Sequence, residues 1–255
     1  MTRTPSARRQ FALTAAAWLF GPAVARAQDY EREARWKKAT LATLDEGEPV
    51  HLTQSNGHRF LGLWQQAKHP RGAVLVVHGR GWAPDFELYG AMRTQIAASG
   101  WSTLSIQMPV LRGTAKLGDY VAVYPDAIER IKLAVDWLHA KGFERVAIVS
   151  HSLGASMANQ YLIRASDGKV GAWAFLSILN GLEDMFRLNI PVLDLYADRD
   201  WEVIRVGADE RRKQIERIRG SRQVMVRNSD HFYEDHRPEV VAIVVDFLDQ
   251  AFAAR

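Results

Sequence analysis

The sequence predicts an α/β fold: one mostly parallel sheet of about eight strands, helices on both faces, and no large cap. Three observations point there. An early pair of strand-like runs flanks the tight-turn dipeptide Asn56-Gly57. The run Ala73-Val-Leu-Val-Val77 is apolar throughout, as in a strand covered on both faces. From there to the C-terminus, short apolar runs alternate regularly with segments of helical period.

The elements follow in order. Residues 28–48 are polar and charged and read as a surface lead-in helix, followed by strands over 49–54 and 59–64. After the strand at 73–77 comes a helix from Phe86 to Ala98, ended by Ser99-Gly100. Ser102–Ile106 is a strand, and Ala127–Ala140 a helix with Ile128, Ile131, Val135 and Leu138 on one face. Arg145–Val149 is a strand leading into a helix over Leu153–Arg164. Strands are expected at Ala172–Leu179 and Pro191–Tyr196, a helix at 205–219, and a last strand at Gln223–Val226. Pro238 opens the final helix, whose apolar face carries Val240, Val241, Val244, Phe247, Leu248 and Ala251. Residues 49–255 read as one domain.

The N-terminus has a different character. Arg3, Arg8 and Arg9 precede the apolar stretch Phe11–Phe20, and small residues lead to Ala25-Arg26-Ala27. That is the layout of an export signal over residues 1–27, too short in its apolar part for a permanent span of about 20 residues. Arg8-Arg9-Gln10-Phe11 fits a twin-arginine signal, and an ordinary basic start for the general export route fits as well. The expected location is periplasmic or secreted, without stable membrane insertion after cleavage. Taking the four arginines of residues 1–27 from the 33 basic residues leaves 29, against 29 acids, so the basic balance that would favour a nucleic-acid partner disappears. The chain has no cysteine, which excludes disulfides, thiol nucleophiles and cysteine-ligated zinc.

The chemistry gathers where strands end. In "VAIVSHSLGASM", residues 146–157, Ser152 lies between a strand and a helix. The nucleophile-elbow pattern Gly-x-Ser-x-Gly needs small residues two before and two after the serine. Gly154 meets the rear requirement, and Ser150 stands where the first glycine belongs. A plain helix cap is the competing role for either serine. A base and an orienting acid strengthen the catalytic reading, each expected just after a later strand in the order serine, acid, histidine. Asp198 and Asp200 follow the strand at 191–196, and His231 follows the strand at 223–226. The oxyanion would be met by the N–H groups of Leu153, next to the serine, and of Arg80 in the loop His78-Gly79-Arg80-Gly81-Trp82.

Four stretches, "VVHGRGW", "VSHSLGA", "PVLDLYADRD" and "SDHF", resemble the α/β-hydrolase superfamily over residues 49–255. More narrowly, "HGRGW" followed by "GWSTLSIQMPVL" resembles a bacterial family of exported α/β-hydrolase-like proteins of unassigned function. The resemblance implies cofactor-free hydrolysis of an ester or related acyl bond by a Ser152–His231–Asp200 triad, with Asp200 preferred to Asp198 because related hydrolases carry the acid last in this stretch. Only "NGLEDMFRLNI" separates Leu179 from Pro191, too little for a helical cap, so the site should be open or roofed by loops. Trp82, Met108, Tyr120, Trp201 and Phe232 fall on nearby loops and are candidates for an apolar pocket taking a small-molecule or lipid-like ester, with medium or bulky acyl groups favoured. Two readings compete. A non-catalytic exported binding protein would accommodate Ser150. A metal site at "DHFYEDH" is disfavoured, because its spacing misses the helical zinc motifs.

Overall fold

The computed structural model describes residues 28–179 and 181–253; the expected export signal at 1–27 lies outside them. The chain begins with α1 (Tyr30–Ala42), then β1 (Glu48–Thr53) and β2 (Arg59–Gln65). β3 (Ala73–Val77), α2 (Leu88–Ala98), β4 (Ser102–Ile106), α3 (Tyr124–Ala140), β5 (Val146–His151) and α4 (Leu153–Arg164) follow. β6 (Ala172–Leu176), β7 (Val192–Ala197), α5 (Glu202–Val206), α6 (Ala208–Ile215), β8 (Arg222–Val226) and α7 (Arg237–Ala253) complete it.

The eight strands form one sheet in the order β1-β2-β4-β3-β5-β6-β7-β8. β1–β2 and β2–β4 pair antiparallel, and all later pairs are parallel. The hairpin turns where expected: Gly57 adopts φ 85, and Asn56 Oδ1 accepts from the His58 N–H at 2.9 Å. β3 is central and fully buried, and its side chains divide between the faces. Leu75 and Val77 pack with α3 and α4 residues such as Ile131, Val135 and Tyr161. Val74 and Val76 pack with Met92 and Ile96 of α2 and Val244 and Phe247 of α7. The period of two along a strand thus serves two cores at once.

Two expectations require correction, and the lead-in carries a contact that its composition did not announce. It forms a helix over Tyr30–Ala42 whose residues are mostly exposed or half-buried, with one acid turned inward. Glu33 of α1 is buried and pairs with the fully buried Arg130 of α3 at 3.0 Å, while Gln28, Gln54 and the Gln107 carbonyl take the remaining guanidinium protons. The strand expected over 172–179 stops at Leu176, because Ser177 turns to φ 49 and leaves the sheet. The helix expected over 205–219 is interrupted at Gly207. There Arg211 turns inward, pairs with buried Asp194 at 2.9 Å and donates to the Ile204 carbonyl at 2.8 Å; a Cβ on Gly207 would stand 3.2 Å from its Nη1. Between β6 and β7 the described residues hold a single 3-10 turn, Met185–Arg187, in keeping with the expected lack of a cap.

Candidate active site

The parallel strands all end at one rim, and the chemistry-bearing residues lie there because each follows the C-terminal end of a strand. Ser152 joins β5 to α4 with φ 56 and ψ −126, a conformation that costs an L-residue about 1–3 kcal/mol. Close packing holds it. A Cβ on Gly154 would lie 2.3 Å from the His78 carbonyl oxygen and 2.8 Å from that of Val77, so only glycine lets α4 start this near the end of β3. Ser150, the departure from the elbow pattern, is fully buried and accepts a hydrogen bond from Trp173 Nε1 at 2.8 Å. Its hydroxyl therefore has a structural partner.

Ser152, His231 and Asp200 come together. His231 Nε2 lies 3.0 Å from Ser152 Oγ, and His231 Nδ1 lies 2.7 Å from Asp200 Oδ1. Each of the three residues is 4% exposed. Asp198 faces elsewhere, with its Oδ1 accepting from the Ser229 N–H at 3.2 Å, and so braces the histidine loop. Burial works against ionised Asp200, but hydrogen bonds from His231, Ser177 and the Trp201 N–H, with the nearby imidazole charge, hold its carboxyl below the usual range.

Sequence reasoning missed part of the support. Ser177, just past β6, donates to Asp200 Oδ2, and Tyr233 lies 2.6 Å from the Ser177 hydroxyl. Both are fully buried. The available signal was positional: Ser177 follows a strand end, and Tyr233 stands two residues after His231.

His151, inside the elbow, was also passed over. Its Nε2 lies 2.8 Å from the His231 carbonyl, so that nitrogen carries the proton. Nδ1 then accepts from the Tyr89 hydroxyl at 2.8 Å, and Tyr89 accepts from the Gly79 N–H at 2.9 Å. Burial, reinforced by the neighbouring His231, lowers the His151 pKa to about 3, keeping the ring neutral as this chain of bonds requires. The relay ties the loop after β3 to the backbone of His231.

That loop is held from its other side by His78. The Met108 N–H donates to His78 Nε2 at 2.9 Å, so His78 Nδ1–H donates to the Gly79 carbonyl at 2.8 Å. Burial lowers the His78 pKa to about 4, which suits this single-donor role. In a trans peptide the N–H opposes the C=O, so fixing the Gly79 carbonyl toward His78 aims the Arg80 N–H away from that ring. Gly79 stands beside the serine; a Cβ there would be 3.1 Å from Ser152 Cβ. Leu153, the first residue of α4, has no carbonyl one turn back within the helix to receive its N–H.

The expected pocket residues fall into three places. Trp201 is 50% exposed and stacks on His231, with ring centroids 3.9 Å apart and planes 11° apart. Phe232 meets His231 edge-on at 5.0 Å and Trp82 at 5.4 Å, joining the histidine to the loop after β3. Trp82 lines an open depression beside Arg80; Tyr120 borders it from beneath, being 1% exposed and part of the core, with its hydroxyl accepting from the Leu111 N–H at 3.3 Å. Met108 is a correction: it is 1% exposed and belongs to the core beneath the loops, contributing its N–H to His78. Asp230, in the "DHFYEDH" stretch, accepts from the Phe232 and Glu234 N–H groups. Among the described residues no group of three or more His, Cys, Asp or Glu is placed to hold a metal ion, and no helix is long and apolar enough to cross a membrane.

Comparison with known proteins adds the following. A family model described as a protein of unknown function, DUF3530, matches residues 10–127, a span that includes the loop after β3 and ends before Ser152. No curated protein matches the sequence. Among solved structures, Est1E from Butyrivibrio proteoclasticus superposes with a TM-score of 0.64 at 15% identity, covering 80% of this chain and 99% of its own. A dienelactone hydrolase from Anabaena variabilis gives 0.63 at 17% identity, covering 79% and 97%. An alpha-beta serine hydrolase homologue from Coxiella burnetii gives 0.61 at 15% identity, covering 80% and 98%.

Proposed function

The chain has the α/β-hydrolase fold, and on that frame we propose that it is an exported serine hydrolase cleaving carboxylic esters, or related acyl bonds, through an acyl-enzyme. The observation that carries the reading is the continuous line Ser152 Oγ–His231 Nε2, 3.0 Å, and His231 Nδ1–Asp200 Oδ1, 2.7 Å. An alcohol is a weak nucleophile until a base takes its proton. His231 Nε2 accepts that proton as Ser152 Oγ bonds to the ester carbonyl carbon, and the carbonyl π pair moves onto oxygen. The Arg80 and Leu153 N–H groups stabilise that oxyanion. As the tetrahedral intermediate collapses, His231 returns the proton to the departing alkoxide, leaving acylated Ser152. Water then repeats the sequence with His231 as base and releases the acid. Asp200 keeps the proton on Nδ1 and stabilises the imidazolium.

The cellular part of the proposal rests on the sequence of residues 1–27: cleavage there releases the domain to the periplasm or the exterior. Hydrolysis is tested with a fluorophosphonate probe, which phosphonylates an activated serine. Folded wild type is expected to label and Ser152→Ala is not. Folded wild-type protein that remains unlabelled would favour a binding protein on the same scaffold.

A further inference from the structure

We propose that the open depression beside the loop after β3 is a subsite for an anionic group, so that preferred substrates are esters carrying a carboxylate or similar anion a few bonds from the scissile carbonyl. This rests on the hydrolase reading for the word substrate; the anion site itself does not. The depression has a volume of about 250 Å³ and is walled by Arg32, Arg80 and Arg112 together with Trp36, Trp82 and Tyr120, with no carboxylate among its lining residues. It adjoins the reaction centre through Arg80, whose N–H is the proposed oxyanion donor, and through Trp82, which touches Phe232 beside His231.

The composition of the lining sets this hollow apart: three arginines and no carboxylate, with Arg80 and Arg112 exposed and Arg32 half-buried. Elsewhere, buried arginines are matched with acids: Arg93 with Asp85, Arg130 with Glu33, Arg211 with Asp194. Among the described residues none of Arg32, Arg80 and Arg112 forms an ion pair. Arg32 is half-buried, spends Nη1 on the Leu111 carbonyl at 2.7 Å, and lies over the Trp36 ring at 5.9 Å. Gly81, at φ 72, leaves room for it; a Cβ there would stand 3.2 Å from Arg32 Nη2. Three arginines around one hollow make it positive, and an anion bound there would accept charge-assisted hydrogen bonds from them. The tryptophan walls lower the local dielectric and suit a short apolar chain leading to the anion. The lead-in helix, by delivering Arg32 and Trp36, thereby becomes part of the site.

The test uses the processed protein and two ester pairs. 4-Nitrophenyl hemiglutarate against 4-nitrophenyl butyrate places the anion on the acyl side; 4-carboxyphenyl butyrate against phenyl butyrate places it on the alcohol side. Wild type is expected to prefer the anionic member of one pair by about tenfold in kcat/KM, the size of one good charge-assisted contact. The preference should shrink at high salt. Arg32→Gln/Arg112→Gln should remove it while leaving turnover of the neutral ester and fluorophosphonate labelling unchanged. In parallel, Ser152→Ala should bind glutarate saturably, read by tryptophan fluorescence, should ignore glutaramide, and should lose binding when Arg32 and Arg112 are also replaced. Labelling with no anionic preference in either pair, or with a preference that survives the double replacement, overturns the subsite and leaves the hydrolase reading intact. Glutarate binding without labelling overturns the hydrolase reading and leaves the subsite.

Discussion

Gly154→Ala sets two effects of opposite sign against each other. In a helix interior, alanine is better than glycine by about 0.8–1 kcal/mol, so propensity alone predicts stabilisation. The structure predicts the reverse. The new methyl would sit 2.3 Å from the His78 carbonyl oxygen, 2.8 Å from the Val77 oxygen and 2.9 Å from the His78 carbonyl carbon, where ordinary contact begins at 3.4 Å. These are backbone atoms at the end of a central strand, so relief requires the start of α4 and the end of β3 to separate by about 1 Å. Overpacking of this kind costs roughly 1–3 kcal/mol, which for a domain of this size lowers Tm by roughly 3–10 °C. The same displacement moves Leu153 and Ser152 relative to Gly79 and Arg80, and a misplacement near 1 Å costs about 10² in rate. Thermal unfolding and kcat/KM on 4-nitrophenyl butyrate measure both effects. Gly118→Ala, where a Cβ meets nothing within 4 Å, is the control and should leave both unchanged. A Gly154→Ala protein as stable and as active as wild type would refute the close-approach argument.

Two other outcomes follow from the site. Asp200→Asn should lower kcat by about 10⁴, because an amide favours the wrong imidazole tautomer; Asp198→Asn, which alters only a loop brace, should cost far less, and the opposite ranking in steady-state kinetics overturns the assignment. The His151 pKa of about 3 lies below its ordinary 6.5, so as pH falls through that window the unfolded chain gains a proton that the folded chain refuses, and stability drops. His151→Gln, whose amide can donate to the His231 carbonyl and accept from Tyr89, should flatten the fall of the urea midpoint between pH 6.5 and pH 4, leaving the part due to His78. Identical slopes in the two proteins would count against the buried neutral ring.

Much of the frame was legible because local pattern reports local environment. The unbroken apolar run at 73–77 marks a strand buried on both faces, and it lies at the sheet centre. Asn56-Gly57 turns as a hairpin because both residue types tolerate the backbone a tight turn needs. The candidate site was legible in outline, since serine, acid and histidine each follow a strand in the expected order. What escaped was pairing across distance. Glu33 looks like any acid on a polar helix, and only the fold brings it to Arg130, 97 residues on. Arg211 likewise carries no local sign that it will turn inward to Asp194, one turn after the break at Gly207. Met108 and Trp201 both sit on loops near strand ends, yet one is core and the other a half-exposed plate on an imidazole.

By itself, then, the sequence determined the succession of strands and helices, the early hairpin, and which residue types stand at strand ends. These depend on periodicity and turn chemistry, which neighbours along the chain already express. Tertiary structure alone decided that Asp200 faces His231 while Asp198 does not, that Ser150 bonds Trp173, and that the first helix brings Arg32 to the loop after β3. Such contacts depend on strand order and helix docking, where a difference of one or two residues redirects a side chain from solvent into the site.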